Sequence, residues 1–257
     1  MEENSHPVIQ VRNLDLSYDD FVVMRNLNFS VNKGDIFILM GGSGCGKTTL
    51  LKALIGLNEP AKGDVLYDGM NFWKADDAEQ KRIMRRFGVL YQGGALWSSL
   101  TLAENVAFPL QLYLNLSVEQ VREVVALKLA LVGLAGYEDF YPEEISGGMR
   151  KRAALARAIA LDPDIIFFDE PSAGLDPISA RMLDDLILDL RNTLGATIVI
   201  VTHELPSIFA VGNNSVFLDT ESKTMIATGA PRDLLTNSKD PRVIQFLTRG
   251  EKQGAKL

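Results

Sequence analysis

The residues Gly41-Gly42-Ser43-Gly44-Cys45-Gly46-Lys47-Thr48-Thr49 fit G-x-x-x-x-G-K-[ST] without a mismatch, and their chemistry is that of a phosphate cradle. Glycines let backbone N–H groups come close to an anion, and the start of a following helix adds its partial positive charge. That dipole contributes only about 0.3–1 kcal/mol. Tight triphosphate binding therefore calls for Lys47 on the β- and γ-phosphates and Thr48 on a magnesium ion. Cys45 lies inside the cradle, where positive potential can lower a thiol's pKa, but a small filler residue is the favoured reading.

Further along, the apolar run Asp164–Phe168 ends in Asp169-Glu170. Asp169 suits magnesium held through its bound water. Glu170, one residue on, faces differently and can take a proton from an attacking water, a role worth typically about 10²–10⁴-fold in rate. Gln92, after the short run Phe87–Tyr91, offers an amide to the metal and the attacking water, and His203, after Thr197–Thr202, can hold the γ-phosphate. A lone Gln or His is usually structural; in this order with the cradle, the four stop being independent.

These residues need strands to carry them. Asp35–Met40 before the cradle reads as a buried strand and Thr49–Ile55 after it as a helix. Ligands of parallel sheets bind at the carboxyl ends of strands, so the cradle, Asp169-Glu170 and His203 are expected to face one nucleotide. A second anion site is expected at Ser146-Gly147-Gly148, which opens an Ala- and Arg-rich helix over Met149–Leu161 with Ser146 as N-cap. One triphosphate needs one cradle. The second site is therefore expected to serve the nucleotide of another copy of the chain.

The rest of the chain supplies the frame. Residues 8–31 alternate as two antiparallel strands, and Tyr18 near the end of the first could stack on an adenine base or be an ordinary strand aromatic. Helical spacing returns over Thr101–Leu112 and Ser117–Val132, which reads as an inserted helical subdomain, and Pro177–Leu194 reads as an amphipathic helix closed by Gly195. The expected fold class is α/β: a P-loop nucleotide hydrolase with a parallel-strand core, an N-terminal antiparallel subdomain and the helical insertion. We expect a single domain over 8–248, with 8–92 and 162–230 as core, 93–161 as helical subdomain and 231–257 as a C-terminal extension.

Composition narrows the classes. Hydrophobic residues at 47% and charged residues at 23% are ordinary globular values, and a net charge of −7 argues against a nucleic-acid partner. Arg82, Arg85 and Arg86 read as a solvated face. One cysteine allows no internal disulfide, and the N-terminus has no signal-like pattern, so a cytoplasmic setting is expected. No apolar run approaches the roughly 20 residues that cross a bilayer.

Along nearly its whole length the sequence resembles the ATP-binding subunit of ABC transporters. The carrying features are the loop Gly41–Thr49, Gln92, the signature Ile145-Ser146-Gly147-Gly148-Met149, Asp169-Glu170, Ser172-Ala173-Gly174-Leu175-Asp176 and His203, all in family order. Ile145 and Met149 stand where Leu and Gln are usual, but Ser146 and both glycines remain. The resemblance implies ATP and magnesium as cofactors, Tyr18 as the adenine-stacking aromatic, and two subunits closing head-to-tail over two ATP molecules, with Asp176 at their contact.

A finer resemblance is to the ATPase of Mla/MCE-type phospholipid transport systems of bacterial envelopes. It rests on Tyr91–Trp97, Glu104–Leu110, Ser146–Leu161 and Asp240–Leu247. It implies a peripheral position on the cytoplasmic face of the inner membrane, an integral membrane permease, an MCE-domain lipid-carrying protein on the far side, and room for a small regulatory subunit. Leu96, Trp97 and Leu100 are candidates for a groove that receives a permease helix. Rival readings are the same motor serving another cargo such as amino acids or lipoproteins, a soluble ABC protein, and a small-molecule kinase. A soluble ABC protein would want a coiled coil, tandem cassettes or a basic surface. A kinase would leave the signature and His203 unexplained.

Overall fold

The computed structural model describes residues 7–250. The polar N-terminal end up to residue 6 and the last part of the C-terminal extension, 251–257, lie outside the described residues. In chain order the strands are β1 (Pro7–Tyr18), β2 (Phe21–Asn32), β3 (Ile36–Gly41), β4 (Lys62–Tyr67), β5 (Met70–Asn71), β6 (Phe87–Leu90), β7 (Ile165–Asp169), β8 (Thr197–Val201), β9 (Asn214–Asp219) and β10 (Thr224–Thr228). The helices are α1 (Lys47–Leu54), α2 (Asp77–Met84), α3 (Leu102–Tyr113), α4 (Val118–Leu131), α5 (Gly147–Ala158), α6 (Pro177–Leu194), α7 (Leu205–Val211), α8 (Pro231–Asn237) and α9 (Pro241–Leu247). They form two compact units: the described residues up to Met84 with those from Thr197 onward, and Arg85–Ala196.

In the first unit β2, β1, β4 and β5 make an antiparallel sheet. Beside it, β3 runs parallel to β8 on one side and β9 on the other, with β10 antiparallel on β9. All residues of β3 and β8 are buried, which is why both read as continuous apolar runs rather than alternating ones. Each fully buried Ile, Leu or Phe there contributes about 1.5–3 kcal/mol. Phe29 of β2 stacks on Phe37 of β3 at 5.4 Å between ring centroids, so the two sheets share one core.

In the second unit β6 and β7 pair in parallel, Leu90 opposite Phe168, and α5 packs on β6. Gly88 permits that packing, since a Cβ there would lie 2.5 Å from the Ala158 carbonyl oxygen. The helices start where side chains satisfy their free N–H groups: Thr101 with Glu104 at α3, Ser117 with Gln120 at α4, Ser146 at α5 and Asp176 at α6. Lys128, a charge in the most apolar stretch of the sequence, buries its stem along α4 and places its ammonium on Asp162. Gly195, in left-handed backbone at φ 63°, ends α6.

Element boundaries differ from the sequence reading in small ways. The helix after the cradle begins at Lys47 rather than Thr49, and α5 spans Gly147–Ala158 rather than Met149–Leu161. Helix α7 after His203 had no sequence expectation.

Candidate functional site

The first unit carries the cradle. The loop leaves β3 at Gly41 and turns into α1 at Gly46, whose φ of 92° and tight surroundings suit only glycine; a Cβ there would meet Val23 at 2.7 Å. Gly42, Ser43, Gly44 and Thr48 are exposed, so the loop face and the hydroxyl at the helix start open to solvent. Lys47 is nearly buried, and its ammonium donates to the carbonyl oxygens of Gly41 and Gly42, both at 2.9 Å. The cation is thus held over its own loop, ready to exchange those carbonyls for phosphate oxygens. Cys45 is buried 3.8 Å from that ammonium. Burial pushes its thiol up and outweighs the opposing pull of Lys47, so the activated thiol considered from the sequence gives way to the filler role.

Strands β3 and β8 lie side by side in parallel, Leu39 opposite Val201, so the residues following each emerge at the same end. Thr202 is buried, donates its N–H to the Leu39 carbonyl at 3.4 Å and accepts the Glu204 N–H on its hydroxyl at 3.1 Å. That turn presents His203 outward, exposed, with Nε2 3.6 Å from a Glu204 carboxylate oxygen. Tyr18 ends β1 with an exposed ring whose hydroxyl accepts from Asn58 Nδ2 at 2.7 Å, leaving the ring face available for stacking.

The second unit carries the carboxylates. Parallel pairing of β6 with β7 brings Gln92, just past β6, and Asp169-Glu170, at the end of β7, out at the same strand end. Asp169 is buried, and Glu170 has a φ of 49°, a left-handed conformation that a non-glycine residue adopts at a cost of about 1–3 kcal/mol. Gln92 is exposed on a loop pinned by Arg157, which donates to the carbonyls of Gly94 at 2.8 Å and Ala95 at 2.7 Å. The signature opens α5 as expected: Ser146 Oγ accepts the Met149 N–H at 3.2 Å, and Ser146 and Gly147 are exposed. Asp176 caps α6 by accepting the N–H groups of Ile178 and Ser179, and the Ser179 hydroxyl bond holds its carboxyl below the usual carboxylate range.

Sequence reasoning missed the basic residues of α5. Arg150 donates to the Ile145 carbonyl at 3.0 Å, Lys151 to Pro171 and Ala173, Arg152 to Val132 at 3.0 Å, and Arg157 to the Gln92 loop. Four cations thus tie one helix to backbone carbonyls of the surrounding loops. Their signal in the sequence is an Ala-rich helix whose charges have no acidic partners at helical spacing.

A groove of about 860 Å³ lies between α3 and α4, lined by Leu100, Ala107, Phe108, Val121 and Val125 with Glu138 at its rim. Trp97, exposed, leans on Phe108 at 5.9 Å between ring centroids. Of the three residues proposed for a groove, Leu100 lines it, Trp97 borders it through Phe108, and Leu96 is half-buried outside the lining.

ATP fits the cradle, because Lys47 and the start of α1 supply cation and N–H donors where glycines leave room. Magnesium takes oxygen donors, and the Thr48 hydroxyl at the start of α1 and, in the second unit, the Asp169 carboxylate are each of that kind. Among the described residues no group of three or more His, Cys, Asp or Glu could hold a metal ion.

The ABC transporter family model matches residues 24–173, more than half of the chain, and the chain belongs to that family, whose ATP-binding subunits couple ATP hydrolysis to transport. It is 42% identical, over 96% of its own length and 92% of the relative's, to the intermembrane phospholipid transport system ATP-binding protein MlaF of Haemophilus influenzae. The MlaF of Escherichia coli K12 is 38% identical over 96% of this chain and 91% of its own. A probable ribonucleotide transport ATP-binding protein, mkl, of Mycobacterium tuberculosis is 42% identical over 93% of this chain but 66% of its own length. Among solved structures, the ATP-binding cassette MJ0796, dimeric in a post-hydrolysis state with ADP and Pi, superposes with a TM-score of 0.78 at 28% identity, covering 86% of this chain and 98% of that one.

Proposed function

We propose that this chain is the ATP-hydrolysing motor subunit of a transporter that moves phospholipid between the membranes of a bacterial envelope. The observation that carries the cargo is the 42% identity to a phospholipid-transport subunit over 96% of this chain and 92% of that protein. The mkl relative, equally identical, favours another cargo as the second reading, but a third of its length has no counterpart here.

In this reading Tyr18 stacks on adenine and the loop Gly41–Thr49 wraps the phosphates, with Lys47 on the β- and γ-phosphates. Thr48 and Asp169, with Gln92 close to the ion, hold magnesium, which screens phosphate charge when bound. Glu170 takes the proton from the attacking water, and His203 holds the γ-phosphate. Two copies close head-to-tail, each giving Ser146, Gly147 and Gly148 to the other's ATP; the exposed start of α5 supports this, as does the dimeric solved relative.

No helix among the described residues is long and apolar enough to cross a membrane; in this reading an integral permease supplies the path. A cytoplasmic helix of that permease docks in the groove between α3 and α4, beside the Gln92 loop, and holds the subunit on the cytoplasmic face of the inner membrane. An MCE-domain lipid-carrying protein completes the path, with a small regulatory subunit as a further partner.

Purification from membranes, followed by identification of the accompanying proteins and lipids and by ATP-dependent phospholipid transfer between vesicles, tests this. A permease, an MCE-domain protein and phospholipid transfer are expected. ATP turnover with a permease that moves no phospholipid would leave the motor and overturn the cargo.

A further inference from the structure

The turn that follows β7 is held by a cation that belongs to a different element. Lys151, on the second turn of α5, has 8% of its surface exposed, and its ammonium donates to three backbone carbonyls: Pro171 at 2.6 Å, Ala173 at 2.7 Å and Glu170 at 3.3 Å. An ammonium has three donors, and all three are used on this one turn. The same turn contains the left-handed backbone of Glu170 and a bond from the Ala173 N–H to the Glu170 carbonyl at 3.2 Å. Convergent carbonyls repel one another, and a buried carbonyl without a donor is costly. The strained conformation of Glu170 therefore persists because Lys151 draws the carbonyls of 170, 171 and 173 together, and that conformation sets where the Glu170 carboxylate points.

We propose that Lys151 is a positioning residue for Glu170, and that through it the signature end of α5 governs the aim of the carboxylate at position 170 of the same subunit. The inference rests on the reading of Glu170 as general base. Four residues, about 6 Å of helix, separate Gly147 from Lys151, so a displacement at the start of α5 reaches the turn through a rigid rod. In a head-to-tail pair the start of α5 meets the partner copy's ATP, whereas Glu170 acts on its own. Lys151 then conveys occupancy of one site to the base of the other. Burial pushes the Lys151 ammonium down and the Glu170 charge supports it, in keeping with a cation kept for its bonds rather than for solvent.

The test uses the full-length protein purified from membranes with its accompanying proteins. Lys151→Met keeps the stem and removes the donors; it is expected to lower kcat for ATP by about 10²-fold, the scale of a misplaced catalytic group, with KM and nucleotide affinity unchanged. Lys151→Gln, which retains a donating amide, is expected to recover part of the loss. In a Glu170→Gln background, Lys151→Met is expected to cost nothing further. Wild-type kcat in Lys151→Met, a loss that appears in nucleotide affinity instead, or full additivity with Glu170→Gln would each overturn the proposal. If Lys151→Met does not fold, Lys151→Gln alone and over Glu170→Gln carries the same comparison. Normal turnover in Glu170→Gln would remove the general base itself, whereas an inactive Glu170→Gln beside a fully active Lys151→Met would remove Lys151 alone.

Discussion

Gly41 and Leu218 approach so closely that no side chain fits between them: a Cβ at position 41 would lie 2.3 Å from the Leu218 carbonyl oxygen and 2.8 Å from Cys45 Sγ. The backbone at Gly41 has a φ of 149°, and it pairs in parallel with Leu218 of β9. The mouth of the phosphate loop is therefore built into the sheet rather than resting on it. Gly42, one residue on, has only Thr220 Oγ1 near its open side, at 3.8 Å.

These neighbours should part company when each is given a methyl group. Gly41→Ala meets fixed backbone in a strained conformation, at a cost of about 3 kcal/mol, and for a chain of this size each kcal/mol lowers Tm by roughly 2–4 °C. Gly42→Ala is expected to leave Tm near that of the parent, whatever it does to nucleotide binding. Thermal unfolding of both variants without nucleotide decides this; equal stability would mean that the close approach at Gly41 is not part of the native state.

Glu170→Gln preserves the size of the side chain while removing the carboxylate that the proposed function makes the proton acceptor. Turnover is expected to fall by about 10²–10⁴-fold with ATP affinity retained. Nucleotide binding by calorimetry beside phosphate release separates the two effects. A parallel loss of binding would assign Glu170 to holding the nucleotide instead.

What could be read from the sequence was local. The cradle follows from glycines and a lysine at fixed spacing, the fully buried strands β3, β7 and β8 from unbroken apolar runs, and the starts of α5 and α6 from Ser146 and Pro177. What could not be read joins residues far apart. Lys151 finds Pro171 twenty residues away and Arg157 finds Gly94 sixty-three away, and no spacing rule links a cation to a carbonyl that every residue carries. Cys45 shows the same limit: its charged neighbour is visible in the sequence but its burial is not, and burial, the larger effect, supports the filler role that the sequence favours. The stretch Asp240–Leu247 carried family resemblance, yet its physical role, Arg242 bridging Asp240 and Asp219, needed the fold.

The groove between α3 and α4 predicts a defect confined to partner binding. Trp97 is exposed and rests on Phe108, while Asn105, fully buried, fixes the loop before α3 by accepting the Trp97 N–H at 2.8 Å and donating to the carbonyls of Trp97, Leu100 and Thr101. Trp97→Ala therefore removes an aromatic surface and leaves the loop in place. Permease co-purification is expected to fall severalfold, the scale of losing one interface aromatic at about 1–2 kcal/mol, with ATP binding intact. Undiminished co-purification would place the permease elsewhere on the subunit.

The last prediction concerns acid stability and tests the anchor of the C-terminal segment. Asp219, at the end of β9, accepts the Ser222 N–H at 2.8 Å, the Ser222 hydroxyl at 2.5 Å and Arg242 Nη1 at 2.8 Å. Burial pushes its carboxyl up, but the Ser222 bonds and the Arg242 charge together prevail, so its folded pKa lies below that of the unfolded chain. A depressed folded pKa means that the unfolded chain binds the proton more readily, so the stabilisation is fully present above the unfolded value of about 3.9 and is lost as pH falls through the folded value. Asp219→Asn should be less stable than the parent at neutral pH, and the gap should narrow below about pH 4. Urea unfolding midpoints across that range provide the measurement. A gap independent of pH would mean that Asp219 acts through shape and neutral hydrogen bonds, not through its charge on Arg242.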